Sequence, residues 1–196
     1  MSRKKATGVT RNEILDVAWD LISEQGADVS MLDIAKAANV SRQSVYLHFK
    51  SRGGLLMGLV KRADDRFAIR EEFFAAMKIA SPDKRLDACL GAWFKFAKNI
   101  QPVANDLIRL RKTDADAAAA WEDRMTELRL WEKKLIDSLA ADSALKEGWT
   151  VTSATDFLWA SSSVQIWDLL TGDRGWSARK CSQVLRSTIA NALLRD

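Results

Sequence analysis

The chain of 196 residues is long enough for one ample core, or for a small domain joined to a larger one. Thirty Lys and Arg against 26 Asp and Glu give a formal charge of +4, with a single His and two Cys. That leaves little room for His-based acid–base or metal chemistry, or for a disulfide framework, and no apolar run is long enough to span a bilayer.

The placement of charge says more than its sum. Residues 1–62 carry ten basic and six acidic side chains, whereas residues 63–196 carry twenty of each. No acid occurs between Asp33 and Asp64. A one-signed patch of this kind is the footprint of a polyanion partner. A membrane surface would ask for an apolar face of Leu and Phe opposite the cations, and here a core claims those positions. No membrane partner is expected.

Residues 1–9 read as a basic arm, with Arg3, Lys4 and Lys5 either lying along a phosphate backbone or simply solvated. The segment MSRKKATG is followed by no apolar run, so no secretory signal is expected and the chain is expected to be cytoplasmic. Thr10 opens a first helix, with Glu13 at the capping-box position, Val9 stapled to Ile14, and Gly26 as a left-handed end cap. Ile14, Leu15, Ala18, Leu21 and Ile22 form its inner stripe.

Two further helix starts follow eleven residues apart. Ser30 caps one, with Asp33 completing the box and Val29 stapled to Ile34; Ser41 caps the other, with Val40 stapled to Val45. Between them Ala38, Asn39 and Val40 form a turn, and Asn39 suits its special backbone angles. This spacing predicts a helix-turn-helix, whose second helix lies in the major groove of DNA. On that helix Val45 and Phe49 share the inner stripe.

The outer positions decide what the helix can read. Arg42 can grip guanine, Gln43 adenine, and Ser44 either, while Tyr46, His48 and Lys50 suit phosphate oxygens. A solvated face with no partner is the plainer reading, and the charge asymmetry argues against it. Arg52, at the start of the next helix, is placed to reach a phosphate. The DNA-facing set is Ser30, Ser41, Arg42, Gln43, Ser44, Tyr46, Leu47, His48, Lys50 and Arg52.

Ser51 caps a fourth helix running to about Ile79, weakened at its start by Gly53 and Gly54. Ser81 and Pro82 begin a fifth through Ala97, and Pro102 begins a short sixth through Leu110. Asp114 to Ala141 reads as a long seventh helix, Thr150 to Leu170 as an eighth, and Ser177 to Leu194 as a ninth. No stretch alternates long enough for a strand. The expected class is all-α: a three-helix DNA-binding head over residues 1–52 and a larger helical domain over 53–196, about nine helices in all. Cys89 and Cys181 fall at helical core positions and read as buried small hydrophobes.

These residues resemble the TetR family of bacterial transcriptional regulators. The likeness is carried by Ile14 to Ala18 (ILDVA), Gly26, Asp33 to Ser41 (DIAKAANVS) and Val45 to Arg52 (VYLHFKSR). It covers residues 10–58 and departs at Gly53 and Gly54, where family members more often carry acids, and at Leu47, which stands for an aromatic or His. The segment from Trp159 to Trp176 resembles one C-terminal subgroup of the family. The resemblance implies a homodimer whose last two helices, residues 150–171 and 177–194, pair with their symmetry mates as a four-helix bundle. Ala160, Ser161, Ser162 and Ser163 would allow close approach, and Leu185, Ile189 and Leu193 would supply the apolar seam. Such a dimer binds an inverted repeat.

It also implies a cavity for a small effector among the middle helices. The candidates are Trp93, Phe94, Trp121, Met125, Leu128, Trp131, Trp159 and Trp167, with Asn105 and Arg109 as polar anchors. Each Trp either lines a pocket or fills a core, and each anchor is either a contact or a surface residue.

The reading is therefore a ligand-responsive regulator, a repressor, released from a palindromic operator by a small apolar or amphipathic effector. The alternative is a small-molecule binding or interaction protein with a vestigial head. Catalysis finds no support: the single His48 lies on the DNA face, and neither a phosphate-cradling Gly loop nor a nucleophile elbow occurs. No cofactor or metal is expected.

Overall fold

The computed structural model describes residues 9–25 and 29–195. In chain order its elements are α1 (Arg11–Gln25), α2 (Met31–Ala37), α3 (Arg42–Phe49), α4 (Arg52–Phe67) and α5 (Ile69–Ala76). There follow α6 (Pro82–Leu110), α7 (Ala115–Ala141), α8 (Val151–Ser161), α9 (Val164–Asp168), a π-helical turn (Leu169–Asp173) and α10 (Ala178–Leu193). Among the described residues the extended pairing is one isolated bridge between Leu145 and Leu194, so the class is all-α. The expected Gly26 cap and most of the basic arm, Arg3, Lys4 and Lys5 included, lie outside the described residues.

The chain divides into two compact units. The first holds residues up to Ala63 together with Pro102–Trp121; the second holds Asp64–Gln101 and Glu122–Asp196. Both long helices, α6 and α7, therefore run from one unit into the other.

In the first unit the caps form as the residue types dictate. Thr10 and Glu13 exchange a reciprocal capping box, as do Ser30 and Asp33, and the Ser41 hydroxyl accepts from the Ser44 amide at 3.1 Å. Asn39 takes a φ of 52° in the turn between α2 and α3. Ile14, Leu15, Ala18 and Ile22 of α1 are buried with Ile34, Val45, Leu55, Leu56 and Leu59, closing one small core. Burial of such side chains contributes about 1.5–3 kcal/mol each, far more than the caps, so the caps set the boundaries and the core holds the unit together.

Three expected boundaries move, each for a packing reason. The fourth helix is not continuous to Ile79: Ala68 adopts a left-handed conformation, φ 48°, and divides α4 from α5. That turn costs about 1–2 kcal/mol, and across it Phe67 meets Phe96 edge-on while Ile69 and Phe73 are buried. The fifth and sixth helices are one, because Pro102 sits inside α6. Proline removes one hydrogen bond there, a loss of about 3 kcal/mol, and the buried row Phe94, Ala97, Val103 and Leu107 continues past it. The eighth helix breaks at Ser162 and restarts with Ser163 as N-cap of α9.

The second unit buries Leu86, Leu90, Phe94, Leu135, Leu139, Leu158 and Trp167, with Cys89 and Cys181 buried and unpaired. Ile189 and Leu193, expected at a dimer seam, are 1% and 0% exposed in the single chain and serve its own core. Ser162 is buried as well, leaving Ala160, Leu169 and Val184 exposed and Leu185 half-buried on those helices.

Candidate functional site

α3 is short and amphipathic, with Val45 and Phe49 anchoring it and Arg11 stacked over the Phe49 ring at 5.0 Å. Because the helix is fixed from one side, Ser41, Arg42, Gln43, Tyr46, Leu47 and His48 stand exposed and Ser44 half-buried on the other. Ser30 is exposed at the start of α2. The Arg42 guanidinium lies over the Tyr46 ring at 5.4 Å and donates weakly to its hydroxyl at 3.4 Å. Leu47 is 77% exposed, an extreme value for a leucine on an otherwise polar face. Lys50, exposed, ends the helix at φ 61°.

Arg52 departs from the sequence expectation. Instead of facing outward it donates from Nε to Asp106 at 3.0 Å, with a second bond from Nη2, and only 16% of its side chain is exposed. Asp106 is wholly buried and also accepts from Arg109 at 2.7 Å. Beside it the Ser51 hydroxyl donates to Asp116 and accepts from the Gly54 amide. The acid-free stretch is thus met at its C-terminal edge by carboxylates from residues more than fifty positions away, and the Arg52 charge is neutralised. Nothing in local spacing announces this.

The proposed effector residues divide between the units. Asn105, Arg109 and Trp121 belong to the first, where Arg109 pairs with Asp106 and Trp121 lies beneath Arg111. In the second, Phe94 stacks on Trp167 at 5.5 Å, and Trp167 donates to Gln101. Trp131 sits between Phe73 and Phe74 with Arg70 over its ring. Leu128 is buried and Met125 half-buried. Trp93 donates from its indole to the Ser162 carbonyl at 2.7 Å, and Trp159 Nε1 is buried with no partner among the described residues.

The break between α8 and α9 brings in a residue the sequence reading passed over. Glu132 is 4% exposed; one of its oxygens, Oε1, accepts from the Ser162 hydroxyl at 2.6 Å, and the other has no partner among the described residues. Burial pushes its carboxyl up to about 8, against the pull of Ser162 and Arg129. The signal was present: Glu132 stands four residues after Leu128 and three before Leu135, a charge on an apolar stripe.

A cleft of about 240 Å³ opens in the same unit, lined by Arg66, Phe67, Ala68, Glu72, Ala92, Lys95, Phe96 and Asn99. Of these, Phe96 lies 5.9 Å from Trp93, one of the expected effector contacts. Among the described residues no cluster of His, Cys, Asp or Glu could hold a metal ion, and no helix is long and apolar enough to cross a membrane.

Residues 14–58 match the profile of bacterial regulatory proteins of the tetR family. The chain is 47% identical over 53 residues to the HTH-type transcriptional regulator AcrR of Shigella flexneri, covering 26% of this chain and 25% of that protein. The match thus spans about a quarter of that relative's length. In fold, the chain is similar to a transcriptional regulator from Saccharomonospora viridis crystallised with choline, at TM-score 0.76 and 21% identity over 95% of this chain and 98% of that one. It is also similar to FadR from Bacillus subtilis in complex with stearoyl-CoA, at TM-score 0.73 and 19% identity over 93% and 99% of the two chains. The head, residues 14–58, is thus similar to bacterial regulatory proteins of the tetR family, and the fold as a whole is similar to that of the two solved structures.

Proposed function

We propose that this protein is a ligand-responsive transcriptional repressor, binding a palindromic operator as a homodimer and released by a small apolar or amphipathic effector. The observation that carries the reading is the exposed face of α3. Arg42, Gln43 and Ser44 stand at its N-terminal turn, backed by a buried Val45 and Phe49 and with no acid on the helix. Arg42 and Gln43 can read guanine and adenine edges, and Leu47 offers an apolar surface for a thymine methyl. Tyr46, His48 and Lys50 hold phosphates and set register. Arg52 supports the head from within through Asp106 rather than touching DNA.

The dimer is proposed through α8 and α10, with exposed Val184 and Ala160 and half-buried Leu185 toward the partner. The two-fold axis then sets half-sites one helical turn, or a multiple, apart. The structural neighbours bound to choline and to stearoyl-CoA support an effector role for the second unit. A tenfold release requires an effector to prefer the DNA-incompetent state by about 1.4 kcal/mol. We place the protein in the cytoplasm, where such an operator is found.

Selection of bound duplexes from a random pool, followed by gel retardation across stepped salt, tests the reading. An inverted-repeat consensus and a steep loss of affinity with salt are expected. A protein that stays monomeric and retards no duplex at low ionic strength ends it.

A further inference from the structure

The break between α8 and α9 exposes the Ser162 carbonyl to a donor from outside the helix, and Trp93 Nε1 takes it at 2.7 Å. The Ser162 hydroxyl in turn holds Glu132 Oε1 at 2.6 Å. This relay fixes the carboxyl group on one side and leaves Oε2 buried with no hydrogen-bond partner among the described residues. On the segment that carries Ser162, two more buried polar atoms likewise find none there: Trp159 Nε1, three residues before it, and Gln165 Oε1, three residues after. Buried polar groups are ordinarily satisfied, and an unmade bond there costs about 1–3 kcal/mol. Three such atoms, on Ser162's partner and within three residues of Ser162 itself, leave bonds that the described residues do not make.

We propose that Glu132 binds the protonated amine of an organic cation, which is the effector of the second unit. This rests on the effector-responsive reading above and narrows it to one chemical class. An ionised carboxylate is an acceptor only, so Oε2 calls for a donor. Against the ionised form, a neutral alcohol satisfies the bond and leaves the charge unpaired, whereas a protonated amine satisfies both and so favours that form over the buried acid. A carboxylate or phosphate ligand meets like charge. Arg129, whose charge acts on Glu132, makes its ion pair with Asp156 at 2.6 Å and not with Glu132. Burial favours the uncharged carboxylic acid when no cation is bound, so the free protein tolerates the site.

The test is calorimetric titration of the full chain with three probes of matched length: hexylammonium, hexanol and hexanoate. Hexylammonium is expected to bind about tenfold or more tightly than either of the others, the scale of one charge-assisted hydrogen bond. Glu132→Gln, a neutral isostere, is expected to lose that preference, and Ser162→Ala, which frees the carboxyl group to turn, to weaken it. Equal binding of all three probes, no binding of hexylammonium, or unchanged preference in Glu132→Gln overturns the proposal. Should Glu132→Gln fail to fold, the ranking of probes on the parent protein and on Ser162→Ala still decides. The titration contains no DNA. A chain that binds hexylammonium and ignores duplexes keeps this inference and loses the repressor reading; a chain that binds an operator and not the amine does the reverse.

Discussion

Arg52 Nε donates to Asp106 Oδ2 at 3.0 Å, and the carboxylate it meets is wholly buried. Two stretches 54 residues apart are joined there, at the foot of the reading helix. Removing one partner of a buried pair leaves an uncompensated charge. Asp106→Ala, which removes the carboxylate that Arg52 meets, is therefore expected to lower unfolding free energy by about 3 kcal/mol or more. Urea denaturation of the parent and variant checks this. A loss under about 1 kcal/mol, the range of a surface pair, would show the contact to be incidental.

The same geometry separates Lys50 from Arg52. Lys50 is exposed, so Lys50→Ala is expected to weaken binding to all duplexes alike and to reduce the slope of log affinity against log salt by about 1. Arg52→Ala is expected to leave that slope unchanged and to act through stability. Equal slope changes for the two would return Arg52 to the phosphate backbone.

In the proposed function, Arg42, Gln43 and Leu47 are the base-reading residues. Arg42→Ala and Gln43→Ala are each expected to flatten preference at one position of each half-site, by about 1–3 kcal/mol against the wrong base. Leu47→Ala is expected to relax a thymine position. Selection experiments on each variant read this directly, and a consensus unchanged by all three would move the interface elsewhere.

Gly53 weakens the start of α4 in sequence terms, and the fold explains why it is there. A Cβ at this position would stand 2.1 Å from Asp114 Oδ1 and 2.4 Å from the Ala117 backbone nitrogen. Since a backbone atom cannot step aside as a side chain can, Gly53→Ala is expected to destabilise the first unit by about 1–3 kcal/mol despite alanine's better helix propensity. A thermal melt showing stabilisation would contradict the close approach.

What could be read from sequence was what is decided within a few residues. The boxes at Thr10–Glu13 and Ser30–Asp33, the Ser41 cap and the Asn39 turn are all local hydrogen-bond arrangements, and they placed the first three helices. The breaks at Ala68 and Ser162 and the passage of α6 through Pro102 were not legible. There, contacts between distant helices outweigh about 1–3 kcal/mol of local preference. The inward turn of Arg52 and the burial of Ile189 and Leu193 likewise depend on partners that spacing does not reveal. For the second unit, Trp93, Trp131 and Trp167 are buried as their helical spacing suggested. Glu132, a charge where the stripe called for a hydrophobe, is buried too, and its partner Ser162 lies 30 residues away, beyond the reach of local spacing.

Glu132 gives the protein a pH signature that follows from its burial. Its carboxyl is raised from an ordinary 4.5 to about 8 in the fold, so between those values the folded chain holds a proton that the unfolded chain has released. Stability from this group is therefore complete below about 4.5 and declines as pH rises, until it is lost near pH 8. Arg129, the cation that opposes this, is paired with Asp156 and screens only in part. Glu132→Gln keeps the Ser162 hydrogen bond and cannot ionise, so its stability is expected to stay flat across that interval once shared trends are subtracted. Urea midpoints of the two proteins measured from pH 5 to 9 should converge at the acid end and part toward pH 8, with the variant the more stable. A saturating protonated amine is expected to close the gap by giving the ionised carboxylate its partner. Parallel curves for parent and variant would mean that Glu132 is already charged in the folded chain, with a neutralising group that the fold does not show.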